Sequence, residues 1–185
     1  SLANSAAGIV VGKMGTAAIE IRELKRKFID LDLADSPKIV SKEQLLASLA
    51  KDNNKEKTTV FTNGCFDLLH TGHVSYLEAA RKKGDILIIG LNSDRSVSAI
   101  KGPKRPVNNE LDRARVLSAL SVVDFVVIFD QDTPGELIKS LLPDVLVKGA
   151  DWPVDKIVGG REVIAAGGEV LNIQLEQGFS TTSMI

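Results

Sequence analysis

At 185 residues the chain accommodates one substantial domain with a remainder, and 44% hydrophobic and 25% charged residues describe an ordinary globular composition. A net charge of -1 and 4% aromatic residues offer no basic stripe or stacking platform for nucleic acid, and no apolar run reaches the roughly 20 residues of a membrane span, so neither partner is expected. Cys65 is the only cysteine, so an intrachain disulfide is ruled out; the first residues also lack the basic start and apolar core of a secretion signal, and the expectation is a cytoplasmic enzyme.

In chain order, Leu2 to Met14 is rich in Ala and Val and reads as helical, punctuated by Gly12 and Gly15. A charged stretch (Glu20 to Lys27) and a linker (Asp30–Pro37) follow. Ser41 to Leu49 predicts a helix, with Ser41 as N-cap and Gln44 completing a capping box. The polar run Lys51–Lys57 breaks the pattern. From Thr58 onward strand and helix signals alternate. Strands are expected at Thr58–Thr62, Asp85–Leu91, Phe125–Phe129, Val145–Val147 and Glu169–Ile173; helices at His73–Lys83, Glu110–Leu120, Pro134–Leu142 and Arg161–Ala166. The continuous apolar strands are those of a sheet buried on both faces. The alternation implies right-handed crossovers and an α/β, Rossmann-like parallel sheet with helices on both faces. Such sheets bind ligands beyond the carboxyl ends of their strands, so chemistry is expected just after each strand.

The first strand runs into Asn63-Gly64-Cys65-Phe66-Asp67, and His70-Thr-Gly72-His73 opens the next helix. Gly72 lets backbone approach a ligand, and a helix N-terminus presents free N–H groups and the positive end of a dipole. Two imidazoles there can donate to phosphate oxygens, which suits phosphoryl or nucleotidyl transfer. A metal pair or two structural histidines is the alternative; with 2 His and one Cys in the chain, further ligands for a metal are scarce, and no metal is expected on protein side chains.

Phe66-Asp-Leu-Leu-His70-Thr-Gly-His73 resembles the HxGH signature of the cytidylyltransferase-like nucleotidyltransferases. Gly90-Leu-Asn92-Ser-Asp94 is similar to that family's second nucleotide-facing turn, and Lys101, Lys104 and Arg105 stand where it carries basic residues in a Gly/Pro loop over the phosphates. Asn109–Arg113 resembles its Arg-bearing helix. Val147-Lys148-Gly149-Ala-Asp151-Trp152 follows the fourth strand, and Gly178-Phe-Ser180-Thr181-Thr182 resembles the closing Ser/Thr motif over the triphosphate. The resemblance covers 58–185 and implies His70, His73, Lys101, Lys104 and Arg113 as catalytic residues. It implies Asn63, Gly64, Cys65, Phe66, Gly72, Asn92, Asp94, Lys148, Gly149, Asp151, Ser180, Thr181 and Thr182 as nucleotide-binding, with Asp67 orienting the motif. On the residues alone, Lys101 and Lys104 also read as solvated loop charges, Arg113 as a surface ion-pair partner, Trp152 as a packing residue, Cys65 as a small buried residue, and Ser180–Thr182 as a plain helix cap.

Leu2–Ala17 resembles the final helix of a ribokinase-like sugar kinase, although the kinase Gly-Ala-Gly-Asp motif is absent. A kinase remnant at 1–50 followed by a nucleotidyltransferase domain at 56–185 resembles the bifunctional enzymes of bacterial ADP-heptose synthesis. That resemblance implies transfer of AMP from ATP, with Mg²⁺, to D-glycero-β-D-manno-heptose 1-phosphate for the lipopolysaccharide core, and is compatible with a homodimer. Glycerol-3-phosphate cytidylyltransferases more often have Arg-Thr-Glu where this chain has Leu175-Glu-Gln; such an enzyme, or another small-molecule HxGH enzyme, is the alternative, and a non-catalytic nucleotide-binding module is a second. The chain reaches Ile185 where the closing helix is expected to start.

Overall fold

The computed structural model describes residues 36–149, 153 and 156–173. The chain divides into two compact units, Ser1–Pro37 and Lys38–Ile185. The expected kinase-like helix lies outside the described residues.

The second unit opens with Ile39 bridged in parallel to Val126, flanked by bonds from Val40 N to Val126 O (3.0 Å) and from Val126 N to Lys38 O (2.8 Å). Helix α1 (Lys42–Leu49) follows, closed by the expected capping box: Ser41 Oγ accepts from Gln44 N at 3.2 Å and Gln44 Oε1 accepts from Ser41 N at 2.8 Å. Its Leu45 is fully buried in the main core. The α/β unit thus begins at Lys38 and takes in the helix that the sequence groups with the N-terminal piece.

After a 3₁₀ turn at Asp52–Asn54, the elements are β1 (Thr59–Gly64), α2 (Thr71–Arg81), β2 (Ile86–Asn92), α3 (Asp94–Lys101), α4 (Glu110–Ser118), β3 (Phe125–Phe129), α5 (Gly135–Leu141), β4 (Val145–Gly149), α6 (Gly160–Ala165) and β5 (Glu169–Ile173). The five strands form one parallel sheet in the order β3-β2-β1-β4-β5. The chain therefore moves outward from β1 to β3, then returns to the other side of β1. Connections leaving β1 and β4 diverge there, which opens a crevice at their carboxyl ends.

Alternation along each strand sorts the core into two layers. Phe61, Ile88, Val127 and Leu146 face a cluster completed by Leu45 of α1, Ile138 of α5 and Val163 of α6. Thr62 faces the other way, where its Oγ1 lies 2.7 Å from the hydroxyl of Tyr76 on α2. Gly90, in the middle of β2, leaves room for the Phe61 ring: a Cβ there would sit 2.7 Å from Phe61 Cζ. Overpacking of a tight core costs about 1–3 kcal/mol, so Gly90→Ala is expected to lower the denaturant midpoint without changing the dependence of stability on denaturant; an unchanged midpoint would refute this packing.

One helix, α3, is absent from the sequence expectations. It is short and polar, its only branched apolar residues are Val97 and Ile100, and it starts immediately after β2 on the Ser93 cap, whose Oγ accepts from Ser96 N at 3.1 Å. Periodicity needs more turns than this to register. Lys101, expected in a loop, is the last residue of this helix.

Candidate active site

The carboxyl end of β1 runs into a tight loop rather than directly into a helix. Phe66 takes the left-handed conformation at φ 44°, and its ring closes over Gly64, where a Cβ would lie 3.0 Å from Phe66 Cε2. A non-glycine residue in this region is held by its surroundings. Here the hold is Asp67, whose side chain is fully buried. Its Oδ1 accepts from Val107 N (2.7 Å) and Asn108 N (3.2 Å), and its Oδ2 accepts from Arg105 Nη1 (2.8 Å). Burial raises the Asp67 pKa, but the two backbone N–H bonds and Arg105 more than offset it and hold the carboxyl below its usual range. Asp67 therefore fastens segment 105–108 to the β1–α2 loop, and Arg105 takes part in that fastening.

Arg113 receives the same kind of assignment. Its side chain is fully buried, with Nε donating to Asn108 O (3.0 Å), Nη1 to Cys65 O (2.6 Å) and Nη2 to Asp94 Oδ1 (2.7 Å). Where the sequence suggests contact with nucleotide phosphates, the structure shows one planar fork that ties the β1–α2 loop, the start of α3 and the loop before α4. Asp94, expected at the nucleotide, is engaged in the same tie through its Oδ1, and its backbone N–H donates to Glu110 Oε2 at 2.7 Å.

His70 is the N-cap of α2, in extended conformation, and His73 lies in the first turn. Their ring centroids are 3.9 Å apart, and the Phe66 ring lies 5.3 Å from that of His73. Gly72 is buried between them. Nδ1 of His73 is buried without a hydrogen-bond partner among the described residues. Burial first, then the His70 and Lys101 charges, push the His73 pKa down to about 4. His73 is thus neutral at pH 7. The unfolded chain takes up this proton below its ordinary value of 6.5, whereas the folded chain does so only near 4. Stability is therefore expected to fall as pH drops from 6.5 toward 4, with no contribution from His73 above 6.5. His73→Phe should flatten that interval in urea titrations at pH 7 and pH 5; an unchanged slope would contradict the shift.

Beside His73 lies a cleft of about 180 Å³, lined by Asn63, Gly64, Cys65, Phe66, His73, Tyr76, Lys101, Lys148 and Gly149 among others; His70 does not line it. Burial pushes the Tyr76 hydroxyl pKa up to about 12, and it stays a neutral partner of Thr62 in the cleft wall. The structure thus brings together His73, Lys101, Asn63, Gly64, Cys65, Phe66, Lys148 and Gly149, eight of the residues expected at the site. Lys104 is exposed in the turn after α3 and does not line the cleft. Asn92 is buried, donates to Ser96 Oγ at 2.8 Å, and lines a second cleft of about 320 Å³. Asp151, Trp152, Ser180, Thr181 and Thr182 lie outside the described residues. Asp132, Thr133 and Lys156 line the second cleft and were not singled out from the sequence. The signal was there for Asp132 and Thr133, which follow β3 directly, at a strand's carboxyl end.

Among the described residues no three His, Cys, Asp or Glu side chains converge on a metal position. Asp67, which lines the cleft with His73, and Asp94 are each paired with an arginine. No helix among the described residues is long and apolar enough to cross a membrane.

Residues 61–185 match the family described as cytidylyltransferase-like. The whole chain is 54% identical to a protein named bifunctional protein HldE from Magnetococcus marinus and 48% identical to its namesake from Vibrio cholerae. It spans 38% and 39% of the length of those two relatives. Among solved structures, a lipopolysaccharide core biosynthesis protein from Thermoplasma volcanium superimposes with a TM-score of 0.52 at 25% identity, over 66% of this chain and 99% of that one. A pantoate-beta-alanine ligase from Francisella tularensis, at 12% identity and a TM-score of 0.54 over 76% of this chain and 67% of its own, shares the fold.

Proposed function

This chain belongs to the cytidylyltransferase-like family of nucleotidyltransferases, and we propose that it transfers AMP from ATP to a sugar 1-phosphate, D-glycero-β-D-manno-heptose 1-phosphate, releasing pyrophosphate. The observation that carries the reading is the neutral, half-buried His73 stacked on His70 at the start of α2, inside a cleft that also holds Lys101. The similarity of the whole chain to the bifunctional relatives, and of the sheet unit to a lipopolysaccharide core biosynthesis protein, supports a sugar phosphate as acceptor.

The triphosphate lies against the N-terminus of α2, where N–H groups and the imidazoles donate to its oxygens. A phosphate oxygen of the acceptor attacks the α-phosphorus; the new O–P bond forms as the bond to the β-phosphate oxygen breaks, and pyrophosphate leaves. The attacking oxygen is already anionic, so the chain need supply no strong base, and its contribution is positioning and charge stabilisation. Magnesium, if bound with the nucleotide, would supply further neutralisation of the triphosphate charge beside His73 and Lys101. Bound polyphosphate favours the protonated imidazole again, which lets His73 donate as charge builds on the leaving group. Ser180–Thr182 and Asp151 complete the nucleotide site in this reading. The cytoplasm is its compartment, and a homodimer is its assembly.

The test is pyrophosphate release with ATP or CTP crossed with heptose 1-phosphate or glycerol 3-phosphate, with Mg²⁺. Turnover is expected only with ATP and heptose 1-phosphate. Turnover only with CTP and glycerol 3-phosphate would keep the chemistry and overturn the substrate, and silence with every pair would overturn the reading.

A further inference from the structure

Two clefts meet at the carboxyl end of β1. They share Asn63, Gly64, Cys65 and Lys148 and otherwise diverge. The first extends along α2 and carries His73 and Lys101. The second extends to the β3–α5 loop and the segment before α6, and carries Asn92, Asp132, Thr133 and Lys156. The division follows the sheet. Asn63 and Lys148 have the strand parity of Phe61 and Leu146, so they point to the α5 and α6 side, whereas α2 packs on the side of Thr62.

We propose that the second cleft is the acceptor subsite and that Lys148, at the junction, is a catalytic residue that holds the acceptor phosphate against the α-phosphate of the nucleotide. This rests on the nucleotidyltransferase reading above and assigns the other half of its site. The polar lining indicates which ligand goes where. The histidine cleft offers a helix N-terminus, His73 and Lys101, all suited to a polyphosphate, and its lining carboxylate, Asp67, is paired with Arg105. The second cleft has on its wall Asp132, whose Oδ1 accepts from Arg95 Nη1 at 3.2 Å and whose remaining oxygen can accept hydrogen bonds from sugar hydroxyls. Asn92 and Thr133 add neutral donors and acceptors, and Lys156 adds one cation.

Lys148 lines both clefts. Its Nζ donates to Asn63 Oδ1 at 3.0 Å, which fixes the ammonium at the end of β1 and leaves two of its three N–H donors for other oxygens. In a displacement between two anionic phosphates, a cation that touches both offsets their mutual repulsion, and that repulsion is largest as they approach. Burial lowers the Lys148 pKa when the site is empty, and arriving phosphates favour the charged form again.

The experiment is calorimetric binding to the 185-residue chain saturated with α,β-methylene-ATP, with two probes, heptose 1-phosphate and inorganic phosphate. Asp132→Asn and Lys156→Gln are expected to weaken the sugar phosphate by roughly tenfold while leaving the ATP analogue and inorganic phosphate within about twofold. Lys148→Met is expected to abolish binding of both probes. Should Asp132→Asn and Lys156→Gln weaken the ATP analogue and spare the sugar phosphate, the second cleft belongs to the nucleotide and the inference fails. It also fails if inorganic phosphate does not bind the wild-type chain, or binds Lys148→Met as well as wild type. Loss of only the heptose probe in the wild type, with inorganic phosphate still dependent on Lys148, would overturn the proposed substrate and leave the subsite standing.

Discussion

His73→Ala is expected to lower kcat by on the order of 10²–10³, the usual loss when one charge-stabilising donor is removed from a transition state. The fold should survive. His73 is only partly buried, its Nδ1 has no hydrogen-bond partner among the described residues to be orphaned by the change, and a burial-depressed pKa means that the folded state gains nothing from its charge. Thermal unfolding at pH 7 should therefore move little while turnover collapses. KM for ATP should rise less than kcat falls, because the donor matters most as charge accumulates on the leaving pyrophosphate. His73→Gln, which keeps a donor of similar reach, should recover part of the loss. Turnover near that of the wild type in His73→Ala would remove the imidazole from the mechanism and leave the helix N-terminus and Lys101 to carry it.

Arg113→Met is expected to do the reverse, losing stability first and activity as a consequence. The carbonyls of Cys65 and Asn108, part-buried in these bonds, each lose a charged donor, and an acceptor left unsatisfied costs about 1–3 kcal/mol when fully buried and less where water reaches it. For a chain of this length each kcal/mol lowers Tm by roughly 2–4 °C. The expected result is a clear drop in Tm together with a fall in kcat, since the Cys65 carbonyl is what the arginine holds at the mouth of the histidine cleft. Arg113→Lys keeps the charge but not the three-way fork, and should rescue little. If Arg113→Met instead keeps its Tm and raises only KM for ATP, the guanidinium faces phosphate in the working enzyme and the positioning role is wrong.

The nature of the site was legible before its construction. A strand ending in Asn-Gly-Cys-Phe-Asp and a helix beginning His-Thr-Gly-His lie next to each other in the chain, so their juxtaposition is a local matter and the sequence carries it. The long apolar strands were legible for a similar reason: Ile86–Asn92 is buried along its whole length and Phe125–Phe129 is buried or half-buried throughout, and nearly every residue of both is apolar. The short, polar α3 was not, because too few of its residues touch the core.

The roles of the basic residues lay furthest from the sequence. Arg105, Arg113 and Lys101 are equivalent cations on paper, within a dozen residues of one another. The first two turn inward because Asp67, Asp94 and the Cys65 carbonyl are brought to them from up to 48 residues away. Lys101 is left facing the histidines by the end of α3. By itself the sequence determined the strand–helix alternation, the HxGH turn and the family, all of which depend on neighbours in the chain. Only the tertiary structure decided which cations are tied to carboxylates and carbonyls and which line a cleft, and how Lys148 comes to stand between two clefts. Those outcomes depend on which strands lie side by side, and β1 meets β4 only after the chain has gone out to β3 and back.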